Sequence, residues 1–224
     1  MSTTPPAVTG TAPTAVASPA APAASAGAHT PRPRPVVVFL GDSLTAGLGL
    51  SADDAWPTLL TGQLADAGTP IRAVNAGVSG DTSAGGLRRL DWLLRQRPDV
   101  VVVELGANDG LRGQPLTGVE ANLRTIVERS RAAGARVLLV GLRVPPSLGG
   151  DYAREFADLY PRLARELDVA LVPFLLEGVA GDPDLNLPDG IHPNAEGQRR
   201  VAAVVRPHLE RLLGDVQTAA PAAR

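Results

Sequence analysis

Residues 36–40 read VVVFL and residues 100–105 read VVVVEL. Runs this short, β-branched and apolar at nearly every position suit strands covered on both faces, because a strand with one wet face would alternate. Residues 71–75, 136–142 (RVLLVGL) and 170–172 have the same character. Between them lie stretches of helical periodicity at 56–66, 82–96, 118–133, 151–166 and 194–213. Within 82–96, Leu87, Leu90, Leu93 and Leu94 share one helical face, and Arg88, Arg89 and Arg95 fall largely elsewhere. Strands that alternate with helices need crossover connections, which make the sheet parallel and set it between two helix layers. The expected fold is a three-layer α/β/α sandwich on a central parallel sheet of about five strands. In such sheets sites form outside the carboxyl ends of the strands, so the segment after each strand is where chemistry should be sought.

The chain has 224 residues and a formal net charge of -2, a length that suits one full α/β domain. It contains no cysteine, and all 21 of its basic residues are arginine. Disulfide frameworks, thiolate zinc sites, cysteine nucleophiles, lysine-based phosphate cradles and Schiff-base chemistry are thereby excluded. No basic stripe with interleaved aromatics is present, so nucleic acid is not an expected partner. No apolar run approaches the roughly 18 residues of a membrane span. The ends are different in kind. Residues 1–35 hold eight prolines and ten alanines, a composition that buries too little apolar surface to offset its ordering entropy. They are read as a disordered arm, residues 36–213 as the folded domain, and residues 214–224 as a frayed tail. The arm lacks the basic start and unbroken apolar run of a signal peptide. It leaves open a cytoplasmic protein with a mobile arm or an envelope linker.

Three polar, glycine-rich turns follow the first three strands: GDSLT at 41–45, GVSGD at 77–81 and GANDG at 106–110. A fourth block, DGIHPN at 189–194, precedes the last helix. Together they carry the parts of acyl transfer. A serine hydroxyl attacks only if a base takes its proton and a third group holds that base in the right tautomer. Ser43 is the candidate nucleophile, His192 the base and Asp189 the orienting acid, and the turn at Gly190 lets one loop carry both. Of the three histidines, His29 lies in the arm and His208 sits beside Arg206 and Glu210 on a helix face read as solvated. Fixed donors for the oxyanion are available from the N–H groups of Ser43 and Gly80 and the amide of Asn108. Each residue also has a plainer reading: Ser43 as a helix cap, Gly80 as a turn glycine, Asn108 as an ordinary turn residue, His192 as a helix-entry residue. Asp42 and Asp81 are read as acceptors for turn N–H groups. The run at 182–186 imitates the start of a calcium loop, but Leu187 stands where its glycine is required and Pro193 where its glutamate is. No metal site is expected.

Residues 36–212 resemble the SGNH (GDSL) hydrolases, and within them the thioesterase I, lysophospholipase L1 and arylesterase branch. The resemblance is carried by LGDSLTAG at 40–47, NAGVSGDTSAGGL at 75–87, VELGANDGLRG at 103–113 and DGIHPN at 189–194, in that order. It implies a flavodoxin-like SGNH fold, no metal and no cofactor. It also implies Ser43 as nucleophile, Gly80 and Asn108 as oxyanion donors, and Asp189 and His192 as completing the triad; the catalytic use of Asn108 rests mainly on it. A G-x-S-x-G elbow is absent around Ser43, which separates the chain from the ordinary α/β-hydrolases.

Substrate preference is written more faintly. Residues 142–148 (LRVPPSL) are stiff and apolar and follow the fourth strand, and Leu111 and Leu116 flank Arg112 after the third. Leu111, Val144 and Pro145 are the candidate acyl-groove residues, with cover for the sheet edge as an equal reading. Aromatic residues make up only 3% of the chain, which argues against a stacking platform for sugar rings. The expected function is a serine esterase for carboxylic esters, thioesters and lysophospholipids, acting on a small-molecule acyl substrate as a monomer. The alternatives are a carbohydrate O-acetyl esterase on the same fold and a non-catalytic binding module.

Overall fold

Val37, Val38, Phe39 and Leu40 have no solvent exposure, and neither do Val100, Val102 and Val103. Burial on both faces is what the unbroken apolar runs require, and it makes these two strands the middle of the sheet. In the computed structural model, which describes residues 1–4 and 34–218, the five strands are β1 (Val36–Gly41), β2 (Arg72–Gly77), β3 (Val100–Glu104), β4 (Arg136–Val140) and β5 (Ala170–Val172). All pair in parallel in the order β2-β1-β3-β4-β5.

The helices are α1 (Ser43–Ala46), α2 (Trp56–Asp66), α3 (Ser83–Leu94), α4 (Ala107–Leu111), α5 (Leu116–Ala132), α6 (Gly150–Leu167) and α7 (Ala195–Thr218). Because the chain leaves β1 toward one edge and then returns past it to β3, right-handed crossovers put α2 on the opposite face from α3, α5 and α6. The packing agrees: α2 contacts α7, and α3, α5 and α6 contact one another in sequence. The result is the expected three-layer sandwich. Its reversal point lies between β1 and β3, where the carboxyl ends of neighbouring strands feed loops in opposite directions and a crevice opens. Helix α6 shows how the layers seal, since Phe156, Leu159, Tyr160, Leu163 and Ala164 form its buried stripe.

Two local expectations change. The segments at 43–46 and 107–111, read as turns, are single helical turns. The tail expected from Gly214 begins later, because α7 continues to Thr218. Leu212 and Leu213 are buried there, and Arg136 at the start of β4 pairs with Asp215 at 3.3 Å. The expected arm at residues 1–35 and the last six residues of the expected tail lie almost wholly outside the described residues.

Candidate active site

Strand β1 ends at Gly41, and Asp42 caps the short helix α1 by accepting the Leu44 N–H at 3.0 Å. The aspartate therefore does the capping, and the Ser43 hydroxyl at the first helical position is left for another partner. That partner is His192: Nε2 lies 2.9 Å from Ser43 Oγ, across 149 residues of sequence. On the other side of the ring, Nδ1 lies 2.7 Å from Asp189 Oδ2. With Nδ1–H donating to the carboxylate, Nε2 carries the lone pair that can accept the serine proton. Asp189 Oδ1 accepts the N–H groups of both Ile191 and His192, at 2.9 and 3.0 Å. Those two N–H groups, and then the imidazole, hold the Asp189 carboxyl down to about 2, so it is ionised at neutral pH.

The loop bearing this pair is pinned at both ends. Leu187 N–H donates to His192 O at 2.7 Å, Asn194 N–H donates to Leu185 O, and Asn194 Oδ1 accepts the first free N–H groups of α7 from Glu196 and Gly197. From α7 the buried Gln198 reaches the neighbouring α2 and α1, accepting Trp56 N–H at 2.8 Å and donating to Leu44 O at 3.3 Å. The helix that follows the histidine is thus tied directly to the turn that holds the serine.

At the carboxyl edge of the sheet, three donors beside Ser43 are without a protein acceptor among the described residues. They are the N–H of Ser43, the N–H of Gly80 and one N–H of the Asn108 amide. Gly80 has a φ of +78°, which a side chain would strain, in a turn closed by Asp81 N–H donating to Val78 O. The other Asn108 N–H donates to Asp42 Oδ2 at 3.0 Å. Its neighbour Asp109 accepts both the N–H and the hydroxyl of Ser83, at 2.7 and 2.8 Å, joining α4 to the start of α3.

Beneath the serine lies a second buried carboxyl group that sequence reasoning missed. Glu104, the last residue of β3 and 1% exposed, accepts the Thr45 hydroxyl at 2.7 Å and the Asp42 N–H at 3.2 Å. Burial, reinforced by the charge on Asp42, pushes the Glu104 carboxyl well above the ordinary range. Burial also raises Asp42 to about 6, against the pull of the Leu44 N–H, the Asn108 amide and His192. A polar residue ending an otherwise apolar strand was the available signal. Arg89 was missed as well, being placed only off the leucine face of its helix; its side chain is 22% exposed and turns inward to Asp81, Ala76 and Gly41. Asp42 and Asp81 do accept turn N–H groups, from Leu44 and Thr82, and each also holds a catalytic-edge side chain.

The candidate groove residues separate. Leu111 and Pro145 are exposed, whereas Val144 is 6% exposed and belongs to the hydrophobic core, where it and Phe156 approach Gly110. Among the described residues no cluster of side chains could hold a metal ion, and no helix is long and apolar enough to cross a membrane. What the arrangement offers chemically is a hydroxyl on a base, the base on an anion, and unpaired donors on the adjoining turns.

Residues 39–200 match the GDSL-like Lipase/Acylhydrolase family. The chain is 46% identical over 178 residues to Esterase TesA of Pseudomonas aeruginosa, covering 79% of this chain and 89% of that protein. It is 44% identical to Thioesterase 1/protease 1/lysophospholipase L1 of Escherichia coli K12, covering 79% and 84%. Among solved structures, the psychrotrophic esterase EstA from Pseudoalteromonas sp., inhibited by monoethylphosphonate, superposes with a TM-score of 0.76 at 36% identity, covering 80% of this chain and 98% of EstA.

Proposed function

The chain belongs to the GDSL-like lipase/acylhydrolase family, and from that membership we propose that it is a serine hydrolase of acyl esters and thioesters working through Ser43, His192 and Asp189. The observation that carries the reading is the pair of contacts on one imidazole, 2.9 Å to Ser43 Oγ and 2.7 Å to Asp189 Oδ2. In the first step Ser43 Oγ bonds to the substrate carbonyl carbon as its proton passes to His192 Nε2. The carbonyl oxygen, now anionic, accepts from the N–H groups of Ser43 and Gly80 and from the Asn108 amide. Asp189 remains ionised and stabilises the imidazolium without taking its proton. Collapse breaks the bond to the leaving oxygen or sulfur, which departs with the proton from His192, and Ser43 is left acylated. Water, deprotonated by His192, then attacks the acyl carbon, and Ser43 leaves with the returned proton.

An apolar acyl group is supported by the rim of the site. Leu48, Val78, Leu111, Leu148 and Ile191 are large apolar residues left at least 39% exposed, and all lie on segments that follow strands at the carboxyl edge. The relatives named as an esterase and as a thioesterase and lysophospholipase support the same class. The test is the initial rate on a chain-length series of p-nitrophenyl esters and matching thioesters, with Ser43→Ala as control. A Ser43-dependent rate that peaks at medium or long acyl chains is expected. A rate confined to acetate would favour deacetylation of a carbohydrate, and a rate that persists in Ser43→Ala would reject the serine mechanism.

A further inference from the structure

We propose that Arg89 is a positioning residue for this hydrolysis, a single guanidinium that fixes the turn carrying Ser43 against the turn carrying Gly80. The inference rests on the serine-esterase reading and adds to it a residue outside the triad and the oxyanion donors. Arg89 lies in the middle of α3, and each nitrogen of its fork has a different acceptor. Nε donates to Asp81 Oδ2 at 2.8 Å, one terminal nitrogen to Ala76 O at 2.6 Å and the other to Gly41 O at 2.9 Å.

Those acceptors sit at the places where geometry matters. Gly41 O and Ala76 O close the carboxyl ends of β1 and β2, which pair with Leu40 opposite Ala76 and Gly41 opposite Gly77. The Gly41–Asp42 peptide leads directly into Ser43. Its oxygen accepts from Arg89 and from Val78 N–H at 3.1 Å, and its N–H donates to Glu104 Oε2 at 3.2 Å. One peptide plane is thus held from both sides, by a guanidinium and by a buried carboxyl group. The third acceptor, Asp81, is the residue after Gly80, and its other oxygen accepts Thr82 N–H where the turn enters α3.

Ser43 N–H and Gly80 N–H are therefore carried on two separate turns, and the tie between those turns is the Gly41 carbonyl, shared by Val78 N–H and Arg89. A developing oxyanion senses the separation of its donors, and a displacement of about 1 Å can cost on the order of 10²-fold in rate. The bound ground state senses it less, since three of the five exposed apolar rim residues, Leu111, Leu148 and Ile191, lie on other segments. The planar fork suits three acceptors at set angles, and a lysine ammonium would keep only part of this set. With Arg89 22% and Asp81 11% exposed at the side chain, the ion pair is partly shielded from solvent.

The experiment compares Arg89→Ala, Arg89→Lys and Ser43→Ala with the parent in the full chain. It measures kcat and KM on one p-nitrophenyl ester, the rate of Ser43 labelling by a phosphonate ester, the thermal midpoint, and recovery with millimolar guanidinium. For Arg89→Ala, kcat should fall about 10- to 100-fold with KM changed by less than about threefold, and labelling should slow in proportion. Guanidinium should restore part of the rate in Arg89→Ala and none in Ser43→Ala. If Arg89→Ala does not fold, Arg89→Lys decides: reduced kcat at a near-parental midpoint supports the assignment, and parental kcat overturns it. A lowered midpoint with unchanged kcat in either folded variant would make Arg89 a structural anchor only and end the proposal. Parental enzyme without Ser43-dependent turnover would reject the esterase reading itself, a result distinct from active parent with indifferent Arg89 variants.

Discussion

Asn108 Nδ2 donates to Asp42 Oδ2 at 3.0 Å, joining helix α4 to the residue before the serine across 66 positions of sequence. One N–H of the amide is spent on the carboxylate, which sets the direction of the other. An oxyanion donor is useful when it is aimed before charge develops, because reorganisation would otherwise offset the gain. Asn108→Ala is accordingly expected to lower kcat by about 10² to 10³ with a smaller change in KM. Steady-state kinetics on a single ester check this, and an unchanged kcat would remove Asn108 from the oxyanion site.

Asp189 acts on the histidine through two routes, the carboxylate contact to the ring and the backbone contacts that shape the loop. Asp189→Asn keeps an acceptor for the Ile191 and His192 N–H groups but can present N–H to Nδ1, favouring the wrong tautomer. A loss of about 10⁴ in kcat is expected with the fold retained. Circular dichroism and the rate on one ester, taken together, distinguish this from unfolding.

The buried carboxyl groups make a prediction about stability and pH. Asp42 titrates near 6 in the folded chain against an ordinary 3.8, so between those values the folded state holds a proton that the unfolded state has released. The stability this confers is full below about pH 4 and is lost as pH rises through about 6, an effect on the order of 2 to 3 kcal/mol. Glu104 shifts in the same direction and extends the loss to higher pH. Urea unfolding of the parent and of Asp42→Asn at pH 4 and pH 7 tests it, and the difference between the two pH values should shrink in the variant. Asp189 has the opposite sign: lowered to about 2, it supports the fold above the ordinary carboxylate range and ceases to do so as pH falls through about 2.

Gly77 ends β2 against the back of α1. A Cβ there would stand 2.3 Å from Ala46 N and 2.7 Å from Ala46 Cα, and backbone cannot swing aside as a side chain can. Gly77→Ala should destabilise the chain by about 1 to 3 kcal/mol and lower activity beyond that loss, because the displaced turn is the one carrying Ser43. A chemical unfolding curve and a rate measured well below the midpoint separate the two effects.

Much of this was legible in one dimension. Stretches such as 36–40 and 100–103 are apolar throughout because they are buried on both faces, and that single fact leads to crossovers, a parallel sheet and chemistry at its carboxyl edge. Ser43, Gly80, Asn108 and the Asp189–His192 pair could be named because each sits in a polar, glycine-rich block whose local composition is unusual. For Val144 groove and cover were equal readings, because an apolar residue beside an edge loop looks the same in sequence in either place; the fold leaves it 6% exposed, close to Gly110.

The order of elements, the sheet type and the residues that carry hydroxyl, imidazole and carboxylate could be read along the chain, since hydrophobic period and side-chain chemistry are local properties. Tertiary structure alone decided that Ser43 and His192, 149 residues apart, meet at 2.9 Å, that Glu104 is buried beside Asp42, and that Arg89 turns inward to three acceptors. Those outcomes depend on which strands become neighbours at the reversal between β1 and β3. Burial then makes such a glutamate or arginine depend on partners inside the protein, Thr45 and Asp42 for Glu104 and three acceptors for Arg89.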